Sequence, residues 1–279
     1  MKDYFGYKGK ICVVTGAASG MGKATAEILL DLGAEVYGLD FNEANLPGLK
    51  FVQVNLSEKD SIDKAFEELP AKFDKFFGVA GVSGLSTTFE VTLTINFAAN
   101  KYITEAYLAD RLNDGGAIAF VSSVAGSKWY DHENEYKDIV STNTWEEIQA
   151  AIAAKVKGEL PGVIAYVVSK RAISYYTKWI VPDFGKRGIR VNSIAPGLTT
   201  SGLLGDFEKL SGGQEKAGEK MFGIFERSAE SKEMGSALAF LNSDMASYIS
   251  GVQLFVDAGR EALIKTHDAY DNNAAPMPI

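Results

Sequence analysis

The sequence predicts an α/β fold, a doubly wound parallel sheet with helices on both faces. Three observations predict it. Seven short apolar runs, rich in β-branched residues, alternate with amphipathic stretches of helical period along the 279 residues. A glycine-rich turn joins the first run to the first helix. No repeat, linker-like stretch or second apolar unit breaks the alternation, so one domain over 1–279 is expected.

Residues 11–15 (ICVVT) read as a buried strand. Gly16 to Gly22 interrupts the pattern, then Ala24, Ile28 and Leu32 follow at helical spacing until Gly33 closes that helix. Residues 35–40 and 51–56 read as the second and third strands. Ser57 is placed to cap the next helix, whose buried face is Ile62, Ala65, Phe66 and Leu69. Residues 75–80 read as the fourth strand, and a long helix over 88–112 is expected to end at Gly115-Gly116. Residues 117–122 are the fifth strand; 166–184 read as a helix and 189–195 as the sixth strand. Met234, Ala237, Leu238 and Leu241 mark a late helix, and 252–256 the last strand. Right-handed crossovers between such strands give the doubly wound arrangement. From His267 the chain is polar and ends in PMPI, either a loose tail or an arm for a partner.

Composition removes several classes of function. With 28 basic and 36 acidic side chains the net charge is −8, which leaves no basic excess to replace phosphate counterions, so no nucleic-acid partner is expected. Cys12 stands alone in an apolar strand, and the two histidines, His132 and His267, are far apart, so neither a disulfide framework nor a metal site is expected. The N-terminal MKDYFGYKGK has no apolar core of a secretory signal, and no run approaches the ~20 apolar residues of a membrane span. A cytoplasmic protein with no membrane partner is expected.

The turn Gly16-Ala-Ala-Ser19-Gly20-Met21-Gly22 carries the first chemical signal. Glycines permit a tight turn and close approach of backbone to a pyrophosphate, while the helix N-terminus offers free N–H groups and partial positive charge. Asp40 ends the second strand, 18 residues after Gly22. A carboxylate there bonds both ribose hydroxyls of an adenosine and repels a 2′-phosphate; otherwise it is a solvated strand end. Its neighbours in the argument, Ala17 and Phe41, are not basic, which favours NAD over NADP.

Tyr166 and Lys170 stand four apart on a predicted helix and project from one face. A phenol, pKa near ~10, is a poor base at neutral pH. An ammonium about 4 Å away, at an effective dielectric of about 20, favours phenolate by up to ~4 kcal/mol. Ser123 follows the fifth strand at the carboxyl edge of the sheet, where a hydroxyl can hold a substrate oxygen. Asn96, inside the long helix, is either a satisfied polar core residue or part of a proton path.

In order along the chain stand Thr15-Gly16-x-x-x-Gly20-x-Gly22, Asp40, Ala80-Gly81, Asn96, Ser123, Tyr166-x-x-x-Lys170 and Asn192-x-x-x-Pro196-Gly197. Over 11–259 the chain resembles the short-chain dehydrogenase/reductase family, in its single-domain, Rossmann-type form. The resemblance implies a catalytic set in which Tyr166 exchanges a proton with the substrate oxygen and Lys170 lowers the tyrosine pKa and bonds the nicotinamide ribose. Ser123 would polarise the substrate, and Asn96 would hold a water linking Lys170 to solvent. It implies NAD contacts at Gly16, Ser19, Gly20, Met21 and Gly22, at Asp40, Asn55 and Leu56 beside the adenosine, and at Ala80 and Gly81. Pro196, Gly197 and Thr199 would line the nicotinamide. Two departures stand out: Gly78-Val79-Ala80-Gly81 replaces the family's Asn-Asn-Ala-Gly, and Asn55 replaces an acid beside the adenine, where its carbonyl would accept the adenine amino hydrogen bond.

Ser123 and Tyr166 are 43 residues apart, far more than is usual in the family. The insertion, 127–162, holds Trp129, Tyr130, Tyr136 and Trp145, and Thr144-Trp-Glu-Glu147 followed by Ile148, Ile152 and Val156 predicts a capped helix. A similar insertion marks bacterial 3α-hydroxysteroid dehydrogenase/carbonyl reductases. After Pro196-Gly197 come Leu198, Leu203, Leu204, Phe207, Met221, Phe222, Ile224 and Phe225. These, like the aromatics of the insertion, either line a pocket for a bulky apolar alcohol or ketone or pack onto their own domain. The expected activity is NAD-dependent oxidoreduction of a secondary alcohol and ketone, hydroxysteroid-like, by a homo-oligomer, a dimer before a tetramer. Alternatives are another hydrophobic or sugar-like alcohol and, from a different class, a non-catalytic dinucleotide-binding regulator.

Overall fold

Successive residues of each strand feed opposite layers, because side chains alternate across a sheet. Val13, Phe76 and Phe120 belong to one buried cluster, while their neighbours Val14, Phe77 and Ala119 belong to another. The computed structural model describes residues 3–156 and 160–267. Its central sheet is β1 (Ile11–Thr15), β2 (Glu35–Asp40), β3 (Lys50–Gln53), β4 (Phe73–Gly78), β5 (Leu112–Val121), β6 (Arg190–Pro196) and β7 (Gln253–Val256). All neighbours are parallel, in the order β3-β2-β1-β4-β5-β6-β7. The chain therefore winds outward from β1 and then crosses back to β4. That reversal opens a crevice at the carboxyl ends of β1 and β4, the place where ligands bind in such sheets. The Thr15 hydroxyl oxygen accepts from the N–H groups of Val79 (3.0 Å) and Ala80 (3.2 Å), which ties the two strand ends together.

The longer helices are α1 (Gly20–Asp31), α2 (Lys59–Glu67), α3 (89–111), α4 (Trp145–Lys155), α5 (Gly162–Trp179), α6 (Leu204–Ser211), α7 (Gln214–Met221) and α8 (Ser231–Asn242). α1 and α8 cover one face of the sheet, and α2, α3 and α5 the other. Among the described residues no helix is long and apolar enough to cross a membrane.

Several expected boundaries move, each for a local reason. Ser57 does not cap α2: Glu58 holds the N-cap position, and the Ser57 hydroxyl donates to Oδ1 of Asn55, 2.7 Å away. That turn also ends β3 at Gln53, short of the expected 56. α3 is capped by Thr88, which accepts from the Val91 N–H at 3.3 Å, and it contains two π-helical segments, Thr94–Ala98 and Thr104–Leu108. It stops at Arg111; Gly115 and Gly116 fall inside β5, where Gly115 adopts φ +74°. The helix expected over 166–184 starts earlier, at Gly162, and stops at Trp179, because Pro182 forces a new short helix at Val181–Gly185.

The insertion forms short helical turns followed by α4. Thr144 caps α4 by accepting from the Glu147 N–H at 3.2 Å, and the Glu147 carboxylate accepts from Asn143 rather than from Thr144 itself. Its aromatics anchor it to the body. Trp145 meets Tyr102 of α3 edge-on at 5.4 Å, and Trp129 and Tyr136 lie 5.8 and 5.5 Å from Tyr175 of α5. Beneath them Glu135 and Arg171, both fully buried, form an ion pair with Nη1 2.7 and 2.6 Å from the two carboxylate oxygens. Glu135→Gln removes the charge facing a buried guanidinium and should lower the unfolding free energy by about 3–5 kcal/mol. The pair Glu135→Met with Arg171→Met should recover most of that loss in denaturant melts.

Candidate active site

Backbone comes into contact with backbone at the glycine turn. Gly16 adopts φ +76°, and a Cβ on it would lie 2.9 Å from the Ala80 Cα. A Cβ on Gly22 would lie 2.0 Å from the Gly16 carbonyl oxygen, so only glycine lets the first turn of α1 close under the loop. Ser19 occupies the N-cap position with extended backbone, and α1 has no acidic residue in its first turn to cancel its positive end. Met21 forms the wall beside it. Asp40 reaches this turn: Oδ2 accepts from the Ala18 N–H at 3.0 Å and Oδ1 from the Asn42 N–H at 2.9 Å. Asn55 and Leu56 lie farther along the same wall. The Asn55 side chain is engaged locally, Oδ1 accepting from Ser57 and Nδ2 donating to Glu58 at 2.8 Å, so its carbonyl is already committed to the α2 turn.

Ser123 follows β5 in extended conformation, and its Oγ accepts from the Ala125 N–H at 3.1 Å. α5 presents Tyr166 beside it, near enough for the Ser123 hydroxyl to act on the phenol. Lys170 Nζ donates to the Val121 carbonyl at 2.8 Å and sits 5.4 Å from the centre of the Tyr166 ring. Burial governs both groups. It pushes the Tyr166 phenol up to about 12, against the lowering effect of the nearby Ser123 hydroxyl, and pushes Lys170 down to about 8. The lowered phenol expected from the sequence is therefore not present in the free protein, where the ammonium is turned toward a strand carbonyl.

Asn96 lies in the first π segment of α3 and not in the cleft wall. Its side chain accepts from the Val82 N–H (2.8 Å) and donates to the Val82 carbonyl (3.0 Å) and to Ser169 Oγ (3.2 Å). Its side chain is therefore engaged on both its oxygen and its nitrogen. Gly81 separates it from Lys170: a Cβ there would lie 3.1 Å from the Asn96 Oδ1 and 3.7 Å from Nζ. Pro196 ends β6, Gly197 follows it, and Thr199 donates to the Gly197 carbonyl at 3.0 Å.

Three supporting residues escaped the sequence reading. The hydroxyls of Ser122 and Ser174 both donate to the Lys170 carbonyl, at 2.9 and 2.8 Å, and Gln253 of β7 donates to Ser174 at 2.9 Å. Ser174 stands one turn beyond Lys170, and Gln253 is a polar residue opening an apolar strand; both were signals.

The glycine turn, Asp40, Asn55, Ser123, Tyr166, Lys170 and Pro196 to Thr199 border one cleft of about 840 Å³. Of the apolar residues after Gly197, Leu198, Leu203, Phe207 and Met221 line it, while Ile224 and Phe225 are exposed. Phe207 lays its ring edge against Tyr166, centroids 5.3 Å apart. Trp129, Tyr130, Tyr136 and Trp145 do not line the cleft; only residues flanking the insertion, such as Val124, Ala125, Val163 and Ile164, do.

The chain is 33% identical to a coniferyl-alcohol dehydrogenase of a Pseudomonas species over 90% of its own length and 96% of that protein. It belongs to the short-chain dehydrogenase/reductase family. The sequence model described as "short chain dehydrogenase" matches residues 10–137, and one described as "Enoyl-(Acyl carrier protein) reductase" matches 147–261; the break falls inside the insertion. A 3α-hydroxysteroid dehydrogenase/carbonyl reductase of Comamonas testosteroni is 30% identical over 91% of the chain and 98% of that protein. The solved structure of a 3α-hydroxysteroid dehydrogenase from Pseudomonas, complexed with NADH, shares the fold with a TM-score of 0.75 at 23% identity, over 93% of this chain and all of that one. Members of this family bind a nicotinamide dinucleotide and act on alcohols and carbonyl compounds.

A buried ammonium has a stability cost with a definite sign. Lys170 loses its proton near pH 8 in the folded protein and near its ordinary value of 10.5 when unfolded. Below pH 8 the folded state carries the full penalty, on the order of 3 kcal/mol, and the penalty fades as pH rises through 8 to 10.5. Lys170→Met should therefore stabilise the free protein at pH 7 and lose that advantage by pH 10, as read by thermal melts across this range.

Proposed function

We propose that the protein is an NAD-dependent oxidoreductase that interconverts a bulky, ring-containing alcohol and its carbonyl compound. The observation that carries this reading is that Ser123, Tyr166 and Lys170 line the same cleft as the glycine turn. The cradle fits a dinucleotide. Added Cβ atoms would fill it at Gly16 and Gly22, and Asp40 stands at the adenosine end, with Ala17 and Phe41 rather than basic residues beside it. Gly16, Ser19, Gly20, Met21 and Gly22 would hold the pyrophosphate, and Leu56, Ala80 and Gly81 the adenosine side. Asp40 would take the ribose hydroxyls, its charge opposing a 2′-phosphate. Lys170, Pro196, Gly197 and Thr199 would hold the nicotinamide end. The bound nicotinamide supplies hydride transfer to or from the carbinol carbon.

The chain's own part is the proton. Ser123 fixes the substrate oxygen beside the Tyr166 hydroxyl. At neutral pH the free phenol is protonated, since burial holds it near 12, so it is ready to donate to a carbonyl oxygen as that oxygen gains charge. In the reverse direction the same oxygen must accept the alcohol proton. A cation about 5 Å away, at an effective dielectric of about 20, offers about 3 kcal/mol toward phenolate. Burial imposes a penalty of similar size on Tyr166. Lys170 thus returns the phenol to its ordinary range once it turns from Val121 toward the cleft.

The apolar wall of Leu198, Leu203, Phe207 and Met221 supports a hydrophobic substrate. Two relatives act, by their names, on a 3α-hydroxysteroid and on coniferyl alcohol, both ring-containing alcohols. The first supports a secondary alcohol, as the sequence suggested. The second, at higher identity, supports an aryl-substituted primary alcohol as the other reading.

A panel of steroid, alicyclic and aryl alcohols, followed by reduced-nicotinamide absorbance, tests both readings. Tyr166→Phe should lower kcat about 10²–10⁴-fold with NAD binding retained. Unchanged turnover would refute its role. NADP preferred over NAD would refute the role given to Asp40, and Asp40→Ser should narrow the preference for NAD.

A further inference from the structure

α6 crosses the mouth of the cleft and is fastened on two sides. On one side the Ser83 hydroxyl donates to Oδ2 of Asp206, 2.5 Å away and 123 residues along the chain. On the other, Phe207 lays its ring against Tyr166. The two fastenings come from adjacent residues, so releasing one loosens the other.

The post that carries Ser83 is rigid. Val82, just before it, exchanges two hydrogen bonds with the Asn96 side chain. Gly84, just after it, packs so closely that an added Cβ would lie 2.2 Å from Gly162 of α5. The Ser83 oxygen accepts from the Leu85 N–H at 3.2 Å, which leaves its single proton aimed at Asp206. α6 is the opposite: none of its eight residues, Leu204–Ser211, is buried. Few apolar contacts hold it, so one hydroxyl–carboxylate bond, stronger than a neutral one, decides whether it stays down.

We infer that Ser83 and Asp206 form a clasp that holds α6 shut over the site, and that opening this clasp sets how fast bound dinucleotide and product leave. The inference rests on the dinucleotide reading of the cleft. It gives Asp206 a positioning role for the lid and Phe207 the role of excluding water from Tyr166.

Ser83→Ala and Asp206→Asn test the clasp in the full-length protein. NADH is the probe, its dissociation followed by stopped-flow fluorescence, with limited proteolysis of the cofactor-free protein in parallel. Each variant should release NADH about tenfold faster, the change expected on losing one charge-assisted hydrogen bond. Each should also be cut faster within 201–225, and the double variant should add nothing further. Release and cleavage within about twofold of the unsubstituted protein, in variants with native circular dichroism, would overturn the clasp. If the unsubstituted protein binds no NADH, the dinucleotide reading fails, and cleavage alone decides for or against the clasp. Should Asp206→Asn not fold, Ser83→Ala, which deletes one oxygen from a loop, carries both measurements.

Discussion

One exchange of hydrogen bonds sets the geometry of the site. The Lys170 side chain donates to the carbonyl of Val121, the last residue of β5, and Ser122, the next residue, donates back to the Lys170 carbonyl. Strand end and helix are thereby locked in register at two adjacent positions. Ser123 is the residue after this lock, and Tyr166 lies one helical turn before it. Their placement side by side follows from the lock, since neither side chain has to search for the other. Gly126 belongs to the same arrangement: an added Cβ would fall within 2.6 Å of the Ser122 and Ser174 hydroxyls, so β5 can turn away from α5 only through a residue without a side chain.

The cost of this arrangement is borne by charge. An ammonium and a phenol share an interior from which water is largely excluded, and each is pushed toward its neutral form. In the free protein the ammonium leans on a strand carbonyl rather than on the phenol. The site therefore holds the two groups close together but leaves their electrostatic partnership incomplete, the kind of local instability that functional sites carry and that the rest of the fold must offset.

What was legible in the sequence was what short-range geometry dictates. The glycine turn could be read because steric limits at Gly16 and Gly22 admit one residue type, and Tyr166 with Lys170 because a helix puts every fourth residue on one face. The strand and helix order followed from period alone. Less legible were features set by side chains that meet across long stretches of chain. Ser83 and Asp206 are 123 residues apart, and each looks like an ordinary loop or helix residue. Ser57 has the composition of a helix cap, yet the nearer oxygen of Asn55 takes its proton. The aromatics of the insertion left a pocket and an anchor equally open, because their partners Tyr102 and Tyr175, which lie outside the cleft lining, are distant in the chain. Charge state was least legible, because burial is a property of the whole fold.

The ion pair between Glu135 and Arg171 makes the insertion and the helix that carries Tyr166 interdependent. Arg171 follows Lys170 directly, and its guanidinium is fully buried against Glu135 of the insertion. Trimming the added segment would leave that guanidinium facing a gap; adding the segment beside a small residue would leave Glu135 facing one. Neither side chain tolerates the loss of the other, so the added segment is part of the fold's interior and not a detachable ornament on the helix that carries Tyr166 and Lys170.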